Sequence, residues 1–391
     1  MRTEGRHPAA RATENPVMPV TPPISAPLRA AVSAPSAGAA SAAAKAHFAT
    51  ERGDASFTGG DGTYSVPIAD GRTAWLFGDS FVGGVQPDGS RSNDPKTFVR
   101  NSIVFQDGDD FRLVTGREDG APVDAARPPG MAENRNGLGP DQWYWPGHGT
   151  TRGDDLHVFM NRFDHPKDRP DPLAWDWRYG GTDLATFDAK TGALRATNKV
   201  FGAGDVLWGA AVLERGGHTY VYGAEDDPAG KTRHAHVARV ERDRLLEPDA
   251  YRFWDGGNWV ADQTRSARVG PRVSPQFGAF QAKDGSTVLV TQDGFEHAVR
   301  AWRADSPEGP YDGGEVVAEI PRQPNDRHTY NAVPHPHLAP DGDPGGLLVS
   351  FNVGGADFMN DHTSYRPSFV EVPAGRLPGG GIDRTSPTPA A

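Results

Sequence analysis

The stretch Gly59–Phe81, GGDGTYSVPIADGRTAWLFGDSF, holds two strand-like runs on either side of one tight turn. The turn contains the pair Asp70-Gly71, and an Asp-Gly pair between apolar runs is a strong indication of a β-hairpin. With the turn centred there, equal steps along the two strands place Asp61 opposite Asp79, or one step from opposite. The stretch therefore predicts a hairpin that carries one aspartate on each strand at its open end.

Four later segments repeat the same plan of an apolar run, a Gly/Asp turn and a second apolar run. They are Trp145–Phe163, Leu207–Asp227, Phe277–Gly294 and Tyr330–Gly355. Each repeat is followed by a further alternating or apolar run, which is typical of small antiparallel sheets joined by turns. Five such units arranged radially predict an all-β fold, a five-bladed β-propeller of antiparallel blades. A β-sandwich or a pair of barrels is the alternative.

The composition changes near both ends of the chain. Residues 1–47 are rich in Ala and Pro, and the chain ends in LPGGGIDRTSPTPAA. We therefore expect disordered tails over residues 1–47 and 375–391, with the propeller over residues 48–374. The first segment lacks the Leu- and Val-rich stretch that is typical of a signal peptide.

The composition also restricts the classes of partner. The net charge of −11 argues against nucleic acids, because phosphate binding needs a basic surface. The chain has no cysteine, which excludes disulfides, thiolate metal sites and cysteine nucleophiles. It has no run of about 18 apolar residues, so we expect no membrane span. A monomer that binds a neutral or cationic ligand, or an uncharged polymer, fits these observations.

Asp61 and Asp79 are candidates for catalysis. Residues opposed in antiparallel strands have Cβ atoms roughly 4.5–5.5 Å apart, so two carboxylates there repel and one pKa rises. This arrangement does not stabilise a fold, but one acid and one base are what cleavage of a glycosidic bond requires. A carboxyl separation of roughly 5–5.5 Å favours a retaining route and one of roughly 6.5–9.5 Å an inverting route. In the structural alternative, each aspartate only caps a turn.

The same pairing argument predicts a rim of polar and aromatic residues around the aspartates. It pairs Trp145 with Asn161 and Trp208 with Glu225, and it places Phe277 near Asp293 and Val333 near Asn352. Arg100 and Asn101 begin a strand near the same rim, as partners either of the substrate or of a carboxylate. Aromatic rings beside acids and amides are typical of a sugar site. The predicted substrate-binding residues are Arg100, Asn101, Trp145, Asn161, Trp208, Glu225, Asp293 and Asn352.

Other chemistries find less support in the sequence. His335 and His337 stand two positions apart on a predicted strand and could share a metal ion, but no third ligand is indicated. There is no Gly-rich nucleotide loop and no G-x-S-x-G motif. We expect no required cofactor, and a structural calcium ion stays without assigned ligands.

The stretch TGGDGTYSVPIADGRTAWLFGDSF, followed by RNSIVF, resembles the first blade of exported bacterial five-bladed β-propeller proteins related to endo-D-arabinanases. RADSPEGPYDG at Arg303–Gly313 is similar to a segment of arabinanase and xylosidase propellers. The resemblance spans residues 55–373. It implies a secreted or cell-wall-associated hydrolase of a polysaccharide such as the D-arabinan of mycobacterial cell walls, with two essential acids that match Asp61 and Asp79.

These observations lead to one principal hypothesis and two alternatives. The principal hypothesis is a glycoside hydrolase that cleaves an arabinan-like polysaccharide with paired carboxylates. The first alternative is a propeller that binds carbohydrate through the same rim without hydrolysing it. The second is a purely structural or protein-binding propeller, in which the acids are scattered.

Overall fold

A computed structural model of the protein contains little besides antiparallel β-sheets. The structure describes residues 36–49, 57–91, 97–115, 138, 142–165, 177–226, 233–323, 327–355, 358 and 360–384. All of them fall in one compact unit that spans residues 34–391. Among these residues, no helix has both the length and the apolar character needed to cross a membrane.

Five sheets follow one another along the chain. The first contains β2 (Tyr64–Pro67), β3 (Thr73–Phe77), β6 (Ser102–Asp107) and β7 (Asp110–Val114). The second contains β8 (Gln142–Arg152), β9 (Asp155–Asp164), β10 (Arg178–Asp188) and β11 (Leu194–Phe201). The third contains β12 (Val206–Arg215), β13 (His218–Asp226), β14 (Arg233–Glu241), β15 (Arg252–Trp254) and β16 (Trp259–Val260), and β17 (Arg272–Val273) pairs with β14.

The fourth sheet contains β18 (Gly278–Gln281), β19 (Thr287–Thr291), β20 (Ala298–Ala304) and β21 (Asp312–Glu319). The fifth contains β22 (His328–His335), β23 (Leu347–Gly354) and β24 (Pro367–Val372). A small sheet of β1 (Phe57–Gly60), β4 (Ser80–Val82) and β5 (Phe98–Val99) extends the first hairpin. Short 3-10 helices span Arg242–Arg244, Pro248–Ala250, Gln263–Arg265, Ala374–Arg376 and Pro378–Gly380.

Each sheet packs against the next one in chain order, and the fifth packs against the first. The leading strands contact one another in this order: β2 with β8, β8 with β12, β12 with β18, β18 with β22, and β22 with β2. Apolar clusters fill the spaces between the sheets. One joins Leu76 of the first sheet to Val158 of the second, and another joins Val290 of the fourth to Val349 of the fifth. This packing confirms the predicted all-β class.

The first hairpin has the register that its turn predicts. Tyr64 pairs with Leu76, and Gly60 on β1 pairs with Ser80 on β4. The Asp70 side chain accepts a bond from the Arg72 backbone amide at 3.3 Å, and Gly71 has a φ of 89°, which favours glycine. The register continues from one strand pair into the next, so it places Asp61 and Asp79 opposite each other.

The later hairpins follow the prediction only in part. Trp145 pairs with Asn161 as expected. Trp208, however, pairs with Gly223, because a bulge between Trp208 and Ala211 shifts the register, and Glu225 pairs with Val206 instead.

The fourth and fifth hairpins also depart from the predicted pairs, the fourth without a bulge and the fifth with one. In the fourth, Gly278 pairs with Val290, so Asp293 lies beyond the paired strands. In the fifth, a bulge between Tyr330 and Val333 leaves Asn352 paired with Tyr330.

The predicted disordered tails are wrong where the structure describes them. Residues 37–49 form helix α1 (Ala37–Ala49), and its Phe48 packs against Trp75 and Phe77. Ala is the strongest helix former, and burial of Phe48 stabilises a helix that would be marginal alone. Near the other end, Leu377 and Ile382 are buried against the fourth and fifth sheets. The remaining tail residues, 1–35 and 385–391, lie outside the described residues.

Candidate active site

Asp61 and Asp79 face each other within the first hairpin rather than at its open end, because β1 and β4 continue the pairing beyond them. Asp61 lies between β1 and β2, and Asp79 lies between β3 and β4. The backbone amide of Asp61 donates to the carbonyl of Asp79 at 3.3 Å, and the amide of Gly78 donates to the carbonyl of Asp61 at 2.7 Å. A Cβ atom at Gly78 would lie 2.9 Å from Oδ1 of Asp61 and 3.6 Å from Trp145. Glycine at this position therefore leaves room for the carboxyl group beside the indole ring.

The Asp79 carboxylate has two hydrogen-bond donors that hold it in place. Nη1 of Arg100 lies 3.2 Å from Oδ2, and Nε1 of Trp145 donates to Oδ1 at 2.8 Å. The guanidinium of Arg100 also lies over the ring of Trp143, 4.9 Å from its centroid. Of the two roles that the sequence left open for Arg100, the structure shows the contact with the carboxylate.

The Asp61 carboxyl group has a different set of partners, from the far end of the chain. The hydroxyl of Tyr330 donates to Oδ2 at 3.3 Å, and the hydroxyl of Tyr365 is a second donor. Tyr365 has a φ of 58°, which is uncommon for a non-glycine residue and often marks a functional position. Sequence reasoning missed both tyrosines, since they are far from the first hairpin along the chain.

These environments act differently on the pKa values of the two carboxyl groups. Burial, followed by repulsion from Asp79, raises the pKa of Asp61 to about 7, although the two tyrosine hydroxyls oppose the shift. Burial also raises the pKa of Asp79, but Arg100 and Trp145 stabilise its carboxylate and act in the opposite direction. Asp61 therefore holds a proton close to neutral pH, while the ionised form of Asp79 has a cationic partner.

The three predicted asparagines are buried and bond to the protein itself. Asn101 donates to the carbonyl of Tyr144 at 2.9 Å. Asn352 donates to the carbonyl of Gly60 at 3.1 Å, next to Asp61. The side chain of Asn161 accepts a bond from Thr182 at 2.7 Å. These contacts serve the fold, because each amide satisfies a buried backbone carbonyl or a buried hydroxyl of a neighbouring segment.

Trp208, Glu225 and Asp293 do not join the pair. Trp208 is fully buried against Phe201 and Phe253, so the structure contradicts its predicted stacking on a sugar. Glu225 forms an ion pair with Arg268, and its carboxylate lies 3.2 Å from Nε2 of His236. Asp293 lies 3.2 Å from Nη2 of Arg272. The bulge that shifts the third hairpin turns Trp208 into the core.

In the HPH motif, the side chain of His335 is buried and that of His337 is half-buried. Nδ1 of His335 lies 2.6 Å from the hydroxyl of Ser65, and Nε2 of His337 lies 3.3 Å from that of Thr73. Burial lowers the pKa of His337 to about 3 and that of His148 nearby to about 4, so all three rings are neutral. Within the described residues, no group of three or more His, Asp or Glu side chains has an arrangement that could hold a metal ion.

Solved structures with a similar fold include a protein from Bacteroides ovatus that is provisionally described as a hydrolase. It is 23% identical to this chain, the match covers 85% of this chain and 89% of that one, and the TM-score is 0.66. At this identity, the likeness shows a shared fold.

Two further solved structures are more distant. An α-L-arabinofuranosidase from Podospora anserina is 10% identical, with 82% of this chain and 91% of that chain covered and a TM-score of 0.46. A GH43_1 enzyme from Xanthomonas citri is 13% identical, with 86% and 92% covered and a TM-score of 0.47.

No curated protein matches the sequence. One family model does match, over residues 46–374, and it includes the aspartate hairpin and all five sheets. The chain therefore belongs to the family described as a domain of unknown function, DUF5005.

Proposed function

We propose that the protein is a glycoside hydrolase that cleaves an arabinan-like polysaccharide through Asp61 and Asp79. The observation that carries the proposal is the opposed pair of carboxyl groups, one with a pKa raised to about 7 and the other held by a guanidinium. Two carboxyl groups whose environments give them different protonation states are the usual acid and base of glycosidic cleavage.

The environments assign a role to each aspartate. Protonated Asp61 donates its proton to the glycosidic oxygen, and the leaving sugar departs with that proton. Ionised Asp79 either bonds to the anomeric carbon, in a retaining route, or takes a proton from the attacking water, in an inverting route. The configuration of the released sugar distinguishes the two routes. Arg100 and Trp145 orient Asp79, and the indole of Trp145 offers an apolar surface to a sugar ring.

Further features support the arabinan-like substrate and the wider proposal. The hairpin residues that resemble D-arabinan-cleaving propellers include both aspartates, and a net charge of −11 suits an uncharged polymer better than an anionic one. Packing of each sheet on the next, with the fifth on the first, supports five propeller blades. We further propose that the protein works as a monomer without a cofactor, outside the cell or at the cell wall.

The test compares the purified protein with three variants of the first hairpin on D-arabinan and L-arabinan. Asp61→Asn and Asp79→Asn should each lower the rate at which reducing ends appear by about a hundredfold or more. Asp70→Asn changes an exposed aspartate at the turn of the same hairpin and should leave the rate unchanged. Melting temperatures show whether each variant is folded.

Unchanged turnover in a folded Asp61→Asn or Asp79→Asn variant would overturn the catalytic assignment. An absence of hydrolysis of every arabinan, together with saturable binding, would point to the carbohydrate-binding alternative.

A further inference from the structure

Three exposed aromatic side chains are each connected to the aspartate pair by ring contacts. Among the described residues, four large hydrophobic side chains are exposed: Trp177 (37%), Leu246 (45%), Phe295 (68%) and Phe358 (36%). A single exposed aromatic residue is ordinary and needs no explanation. An exposed aromatic side chain that is linked through other rings to two carboxyl groups, however, indicates a binding surface more specifically.

Trp177 lies on the Asp79 side of the pair. Its ring is nearly perpendicular to that of Trp145, with centroids 5.2 Å apart, and Trp145 donates to Asp79 at 2.8 Å. Phe163 also packs against Trp145, with centroids 4.7 Å apart, and helps to fix its orientation. An aromatic surface therefore runs outward from Asp79 along the second sheet.

Phe295 lies on the Asp61 side. Its ring is 5.2 Å from that of His328, and His328 is 5.5 Å from Tyr330, both measured between centroids. Tyr330 then donates to Asp61 at 3.3 Å. Phe358 lies on the same side, 5.6 Å from the ring of Tyr365. A second aromatic surface thus runs outward from Asp61 across the fifth sheet to the loop between β19 and β20.

The order of the sheets places these two surfaces on opposite sides of the pair. The first sheet carries the aspartates and packs between the second and the fifth sheets through β2–β8 and β2–β22 contacts. Trp177 immediately precedes β10 of the second sheet, whereas Phe295 lies in the loop between β19 and β20 of the fourth sheet and contacts His328 of the fifth. The acid pair therefore lies between the two exposed rings.

We propose that Trp177 and Phe295 are distal sugar-binding platforms for one glycan strand that passes over Asp61 and Asp79. This inference rests on the proposed function. Sugar rings present apolar faces that stack on aromatic side chains, while their hydroxyls stay in water or bind polar groups. A strand held on both sides of the reacting bond is cut internally, so the products are oligosaccharides rather than single sugars released from one end.

The experiment measures kcat/KM on arabinan disaccharide and on long arabinan oligosaccharides for the wild type and for Trp177→Ala, Phe295→Ala and the double variant. Each single change removes one stacking contact and should therefore lower kcat/KM on the long substrate about tenfold. The value of kcat/KM on the disaccharide should stay unchanged. The double change should lower kcat/KM on the long substrate about a hundredfold, because the free-energy effects of distant substitutions add. Trp177→Phe keeps an aromatic face and should recover most of the loss.

Leu246→Ala is the matched control, since it removes the one exposed large hydrophobic group of this set that has no ring contact toward the pair. A second measurement needs no turnover. It compares the affinity of Asp61→Asn protein for the same long oligosaccharide with and without the Trp177 and Phe295 changes.

Four outcomes separate the two proposals. Hydrolysis with length-dependent losses supports both. Hydrolysis that neither change affects overturns the platforms and leaves the function standing. Binding that Trp177→Ala and Phe295→Ala weaken, without hydrolysis by the wild type, supports the platforms and overturns the function. Neither hydrolysis nor binding overturns both.

Discussion

The carboxyl group of Asp61 is held by two tyrosine hydroxyls and faced by a second carboxyl group. Burial and the charge of Asp79 favour the protonated form, and the hydroxyls of Tyr330 and Tyr365 favour the ionised form. The balance leaves the pKa at about 7, whereas an ordinary aspartate ionises near about 4. Asp61 can therefore donate a proton at neutral pH and lose that ability as the pH rises.

The change Tyr330→Phe tests this balance. It removes a donor that stabilises the carboxylate, so the pKa of Asp61 should rise. Activity that needs protonated Asp61 should then persist to higher pH, and the alkaline limb of the pH–rate profile should move upward by about 0.5–1 pH unit. Tyr251→Phe removes a buried hydroxyl that donates to the carbonyl of Leu245 in the connection between β14 and β15, and it should leave the limb in place. A limb that moves downward in Tyr330→Phe would contradict the assignment.

At the scale of elements, one buried arginine fastens the segment that carries Tyr365 to the strand that precedes Asp61. Nη2 of Arg91 donates to the carbonyls of Thr58 at 2.9 Å and Ser364 at 2.7 Å. The carbonyl of Tyr365 accepts from Gly60 at 2.7 Å. A Cβ atom at Gly59 would lie 2.4 Å from Nη2 of Arg91 and 2.6 Å from the backbone carbonyl oxygen of Tyr365, so the position favours glycine.

Arg91→Ala should lower the free energy of unfolding by about 2–4 kcal/mol, because it leaves several buried carbonyls without donors. It should also shift the alkaline limb of the pH–rate profile, since Tyr365 loses its fixed position beside Asp61. Arg91→Lys keeps the charge but not the planar fork, and should restore only part of both effects. Arg195→Ala removes an exposed arginine of the second sheet that pairs with Asp155 and Asp188. Because exposed ion pairs contribute little to stability, this change should leave both the free energy of unfolding and the alkaline limb unchanged.

Loss of stability in Arg91→Ala with an unmoved alkaline limb would mean that Arg91 supports the fold without positioning Tyr365.

At the scale of the whole molecule, the sequence predicts local pairing well and distant packing poorly. The Asp-Gly turn fixes the register that opposes Asp61 and Asp79, and the second hairpin pairs Trp145 with Asn161 as predicted. Both results depend only on a turn and on uninterrupted steps along two strands.

The predictions that failed depend on distortions or contacts that no short stretch reveals. A bulge moves Trp208 into the core, and burial of Phe48 converts the Ala-rich segment into a helix. Tyr330 reaches Asp61 from 269 positions along the chain, so only the packing of the fifth sheet against the first brings them together. The tyrosine partners of Asp61 therefore depend on how distant sheets pack, which no local sequence pattern shows.

The most direct test of the paired aspartates is an NMR titration of isotope-labelled aspartate carboxyl groups in the wild type, Asp61→Asn and Asp79→Asn. We predict one carboxyl group that titrates near pH 7, is missing in Asp61→Asn, and titrates at lower pH in Asp79→Asn because the neighbouring negative charge is gone. If every aspartate titrates near its ordinary pKa of about 4, or if Asp79→Asn leaves the raised pKa unmoved, the two groups do not form an acid–base pair.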